Sequence, residues 1–248
     1  MRASIFLSAI ALFLSSAAAA EPVTVPFVGC PSDGQTDAIP APKGKPVVVS
    51  LPPATAARLA YYKAETGVGT LAPRGWHCFG LYGSSGWVLV TAPQLLTSDD
   101  FFGKHPKPLT GPAVEVSFDD GGTSGRFGVA GLIARYFPDR RAFLQKVIAE
   151  KIEPASAFPL VPFKDDQFVS RAGGIVEIVN PPRRQGVGTL GRLVASDLPI
   201  HATVAVTGDE RKDEELGGWV FAVRLPKDQD DLAPAILRWA EHAYLETK

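Results

Sequence analysis

His77-Cys-Phe-Gly-Leu-Tyr82 and Trp87-Val-Leu-Val-Thr-Ala92, parted by Gly83-Ser-Ser-Gly86, decide the class of fold. Two apolar runs of strand length around a short glycine-serine turn read as a β-hairpin. Downstream, Val114 to Phe118 is a further strand and runs into the turn formers Asp119-Asp-Gly-Gly-Thr-Ser-Gly125. From Phe127 to Phe137 the apolar spacing becomes helical. Pro138 interrupts it, and Asp139 caps a second helix with Phe143, Leu144, Val147 and Ile148 in one stripe.

Residues 153–164 hold three prolines and read as a connection. Strands follow at Phe168–Arg171, Ile175–Val179, Ala202–Thr207 and Trp219–Arg224. Asp231 to Leu245 then reads as a helix, with acidic residues and Pro234 in its first turn and Leu232, Ile236, Trp239 or Ala240, and Ala243 on one face. Upstream, Val23 to Val28 is extended, Gly29 to Gly34 is loop, and Val47 to Leu51 is a strand stopped by Pro52-Pro53. Thr55 to Ala64 shows helical spacing. The expectation is an α+β protein: antiparallel sheet or sheets, a central helical block at 123–152 and a C-terminal amphipathic helix.

The pentapeptide Gly-Val-Gly-Thr-Leu occurs twice, at Gly67 to Leu71 and at Gly186 to Leu190. Each copy follows a strand closed by a double proline and precedes a histidine, a run ending in glycine, and Gly-Trp-Val: Gly86-Trp-Val and Gly218-Trp-Val. A duplication would make 45–105 and 173–248 two β-ββ-α halves about a pseudo-twofold. Convergent glycine turns before strands are the alternative.

The first twenty residues join one charge at Arg2, an apolar run from Ile5 to Leu14, and Ala18-Ala19-Ala20 before Glu21, the pattern of a cleaved signal peptide. The run is half the length of a membrane span, so residues 21–248 are expected as one exported α+β domain without a membrane span after cleavage, periplasmic or secreted. The leader is bacterial in style. In an oxidising compartment Cys30 and Cys78, the chain's 2 cysteines, read as one disulfide. A reactive Cys78 beside His77 is the rival reading.

Loss of Arg2 lowers the 25 Lys and Arg by one against 26 Asp and Glu, moving the net charge from −1 to about −2. That balance argues against a nucleic-acid partner, whose phosphates demand a basic surplus.

Gly186 to Gly191 matches G-x-G-x-x-G, but the helix and the ribose-binding acid of a dinucleotide site are missing, so no cofactor is expected. Ser84 and Ser85, with His77 nearby in sequence, are the candidates for hydrolytic catalysis, although G-x-S-x-G is not met. Asp119-Asp120-Gly121-Gly122 lacks the further carboxylates of a calcium loop, and His77, His105, His201 and His242 are too scattered for zinc; no metal site is expected. Arg183 and Arg184 beside the free-pointing amides of Gly186 and Gly188 form a candidate anion site, with Arg74 as counterpart in the first half. The expected role is a non-catalytic binding or accessory module of the cell envelope, meeting a protein partner or a small anionic ligand. A secreted or periplasmic hydrolase is the alternative.

Overall fold

The computed structural model describes residues 20–172, 174–209 and 215–246. The expected leader, apart from Ala20, lies outside them.

The protein is α+β. Its main sheet has eight strands in the order β10-β11-β12-β13-β9-β8-β7-β3. Along the chain these are β3 (Ser32–Gly34), β7 (His77–Gly83), β8 (Gly86–Ala92), β9 (Ala113–Asp120), β10 (Gln167–Ala172), β11 (Ile175–Asn180), β12 (Ile200–Thr207) and β13 (Gly217–Arg224). All neighbours are antiparallel except β3, which pairs in parallel with β7. Short strands form two smaller sheets. β1 (Glu21–Val25) pairs with β4 (Val47–Leu51), while β2 (Phe27–Gly29), β5 (Leu59–Lys63) and β6 (Thr70–Pro73) form a three-stranded sheet.

Side chains alternate across the main sheet, and both faces are covered. On one face, helices α3 (Arg126–Tyr136) and α4 (Arg141–Ala149) pack Val129, Leu132, Ile133 and Val147 onto Val176, Ile178, Val204 and Val220. Beside them, Phe101 of the short helix α2 (Ser98–Phe102), Leu96, Leu109 and Leu193 cover Phe79, Val90 and Ala222. The C-terminal helix α5 (Ala233–Glu246) lies on the opposite face, against β6, β12 and β13. Here Leu59, Tyr62 and Leu71 of the small sheet share a core with Leu89, Val114, Val223 and Ile236. No helix among the described residues is long and apolar enough to cross a membrane.

Cys30 and Cys78 form a disulfide with Cα atoms 5.2 Å apart, tying the β2–β3 connection to β7. Pinning a loop of 48 residues removes unfolded-chain freedom worth about 4 kcal/mol. The rival reading of Cys78 as a free thiol falls with this bond.

Four expectations change. Within the expected loop Gly29 to Gly34, Ser32–Gly34 is strand β3, and Asp139 sits in a 3-10 turn before α4, whose N-cap is Arg140. Thr55 to Ala64 is not one helix. Helix α1 spans only Pro53–Ala56, and Leu59–Lys63 is a strand between β2 and β6. Its residues are apolar on both sides because both sides are covered, and such a run mimics a buried helix. The two Gly-Val-Gly-Thr-Leu copies also differ in conformation. In the first, Gly67 has φ +74° and Thr70 enters β6; in the second, Val187–Thr189 is a 3-10 turn.

One element of the sequence likeness has a structural meaning nonetheless. Gly86 and Gly218 lie opposite Asp119, one on each side of β9, and Trp87 and Trp219 both lie opposite Phe118. The two tryptophan rings meet edge to face at 5.6 Å, on one face of the sheet. β8 and β13 are both antiparallel to β9, so they run parallel to each other with their tryptophans on the same side. A twofold normal to the sheet would reverse strand direction and one along β9 would exchange the faces, so no twofold relates them.

Candidate functional site

Period-two alternation along β9 points Ala113, Glu115, Ser117 and Asp119 to the face that carries α3. Two loops close over this column, 103–112 and 181–199. Glu115 is 2% exposed and anchors the second loop: the backbone N–H groups of Arg192 and Leu193 donate to its Oε2 at 2.8 and 3.2 Å. Burial pushes its carboxyl up to about 7 against the pull of those amides and of Arg192 and Arg224. Arg224, fully buried on β13, donates from Nε to the Gly111 carbonyl at 2.7 Å and from its two terminal nitrogens to the carbonyls of Val194 and Leu109. Desolvation lowers its pKa to about 10. Gly191 is required where it stands, since a Cβ there would lie 1.6 Å from Glu115 Oε1.

Arg192 projects between two cavities. One of about 240 Å³ is lined by Asp100, Phe101, Lys107, Leu109, Gly191 and Arg192. The other, of about 140 Å³, includes Leu81, Ser85, Val88, Phe102, Asp119 and Arg192. Within the first, Lys107 is paired with Asp100 at 2.7 Å, and that contact lowers the Asp100 carboxyl. The Arg192 guanidinium has no ion pair or hydrogen bond among the described residues. Asp119 likewise has none. With glycines on both flanks and Gly128 so close that a Cβ would lie 2.1 Å from Oδ2, its carboxyl is pushed up by burial to about 6.

A third cavity, about 320 Å³, lies on the opposite face between α5 and the β11–β12 end of the sheet. Pro234, Leu237, Arg238 and Glu241 line it from α5, the spacing of a single helix stripe. Glu177 and Val179 of β11, His201 of β12 and the bulged Val169 of β10 line it from the sheet.

The residues expected to act together do not converge. His77 opens β7 opposite Ala92, whereas Ser84 and Ser85 lie beyond Gly83, at the other end of the same seven-residue strand. Ser84 Oγ is 3.5 Å from Ser124 Oγ, at the end of the hairpin away from His77. The expected anion nest is occupied from within. The Gly186 N–H donates to Thr189 Oγ1 at 3.1 Å and the Gly188 N–H to Asn180 Oδ1 at 2.6 Å. Arg183 pairs with Asp197 at 2.6 Å and Arg184 lies 3.9 Å from Asp165. Arg74 stands in the β6–β7 connection with the small sheet, so it is no counterpart of the other two. Asp120 closes the turn it heads, accepting from the Gly122 N–H at 2.9 Å. Among the described residues no three His, Cys, Asp or Glu come together as a metal site.

Sequence reasoning missed Glu115, Arg192 and Arg224. The signal for two of them is a charge inside an apolar strand, in Val-Glu-Val and at the end of Trp-Val-Phe-Ala-Val-Arg. No family model, curated protein or solved structure matches this chain.

Proposed function

We propose that this chain is exported, loses residues 1–20, and serves outside the cytoplasm as a non-catalytic binding module that takes an anionic group on Arg192. The observation that carries the reading is the exposed guanidinium between two cavities, without an ion pair or hydrogen bond among the described residues, on a loop fixed by Glu115 and Arg224. A cation whose backbone is immobilised and whose guanidinium makes no hydrogen bond among the described residues can turn its donors to an anion, and an arginine offers a fork to carboxylate or phosphate. Phe101, Phe102 and Leu109 supply apolar walls, so the fitting ligand joins an anionic head to an apolar body. The disulfide and the leader pattern support export.

The test is a titration of labelled protein with phenyl phosphate followed by amide NMR shifts. Shifts concentrated at residues 100–109 and 191–193, lost in Arg192→Ala and kept in Arg183→Ala, are expected. The Glu115 anchor uses the backbone of Arg192, so this truncation leaves it in place. Shifts indifferent to Arg192→Ala would overturn the reading.

A further inference from the structure

We propose that the 320 Å³ cavity under α5 is a second, independent site and takes a small organic cation, an ammonium head on an apolar body. Two carboxylates from different elements line this one cavity, Glu177 from β11 and Glu241 from α5. Burial, and then the nearby Glu177 charge, raise the carboxyl of Glu241. A cation placed between the two carboxylates is attracted by both.

The protein offers these carboxylates few partners among the described residues. Glu241 accepts one hydrogen bond, from Thr203 Oγ1 at 3.2 Å. Arg238, on the same stripe of α5, pulls the Glu241 carboxyl down through space but is exposed and makes no ion pair among the described residues. His201 Nε2 faces another acid, with Asp230 Oδ1 at 3.3 Å. Two carboxylates therefore line the space against one exposed guanidinium and an imidazole that faces Asp230 outside the cavity, and a monocation suits that balance.

The apolar part of the ligand follows from the walls. α5 covers β12, β13 and β6 but stops short of the sheet edge, so Val179 and Leu237 are only partly buried and Val169 is 62% exposed. These three and Pro234 give a short apolar trough leading away from the carboxylates. An ammonium carried by an alkyl or aryl group of a few carbons fills it with charge at one end.

The experiment uses the intact oxidised chain and three probes of similar shape: phenethylammonium, phenethyl alcohol and phenylacetate. At millimolar concentration, phenethylammonium is expected to shift amides of β11, β12 and α5, with the alcohol weaker and phenylacetate inert there. Glu177→Gln and Glu241→Gln should each weaken the amine about tenfold, the loss of one charge-assisted contact. Gln at 241 keeps an acceptor for Thr203, and unchanged thermal unfolding of the free variants shows that the fold stands. Binding of phenylacetate as strong as that of the amine, amine shifts elsewhere, indifference to both glutamines, or no amine binding would each overturn the proposal. Phenyl phosphate at Arg192 is read from different amides, so the two sites stand or fall separately.

Discussion

Glu115 and Arg224 sit on adjacent strands, buried on the same face, and spend their hydrogen bonds on opposite partners: the carboxylate holds two loop amides, the guanidinium three loop carbonyls. The pair joins loops 103–112 and 181–199 to the sheet, and Leu109 and Leu193 bridge the loops to each other.

Removing one member should therefore cost more than a surface charge would. Arg224→Met strips three loop carbonyls of their buried donor; a loss of about 3–5 kcal/mol in urea unfolding is expected. Glu115→Gln should cost less, since an amide oxygen still accepts from the loop.

The same carboxylate makes stability depend on pH. Its folded pKa of about 7 lies above the ordinary 4.5, so the folded state holds the proton more tightly than the unfolded chain. The contribution is complete below the unfolded value and disappears as pH rises through about 7, with Arg192 and Arg224 the cations facing the group. Asp119, raised to about 6, acts in the same direction at slightly lower pH. Urea unfolding should show the protein losing stability from about pH 5 to about pH 8, with a shallower slope in Glu115→Gln.

Two glycines of neighbouring loops should respond differently to one methyl group. Gly191→Ala drives a Cβ into the Glu115 carboxylate, whereas a Cβ on Gly111 meets nothing within 4 Å. A loss above about 2 kcal/mol for the first and within about 0.5 kcal/mol for the second is expected from thermal or urea unfolding.

Reducing the Cys30–Cys78 bond, or replacing both cysteines by alanine, should lower stability by about 4 kcal/mol. Calorimetry of oxidised and reduced protein measures it directly; equal transitions would show that the unfolded chain gains no freedom.

Much of the main sheet is legible from letters alone. β7 and β8 announce themselves by the glycine turn between them, and β11 to β13 by β-branched runs. α3 and α4 follow from spacing. The site is not legible, for a physical reason: an alternating Val-Glu-Val reads as a strand with its polar side in water, and only the closure of two distant loops buries Glu115. The proposed anion site falls away from the expected arginines for a related reason. Arg183, Arg184 and Arg192 are equivalent as letters, but Asp197 and Asp165 come to the first two through folding, while the third makes no ion pair among the described residues. Glu177 and Glu241 are 64 positions apart in the sequence and become neighbours only when α5 returns across the sheet.

The two margins of the large sheet end differently. β3 closes one, while β10 closes the other with a register break between Phe168 and Ser170. A foreign strand laid along β10 would meet a ladder whose donors and acceptors fall out of step after two residues, which discourages further growth of the sheet. The irregularity that turns Val169 toward the cavity thus also protects the molecule from polymerising through its own border.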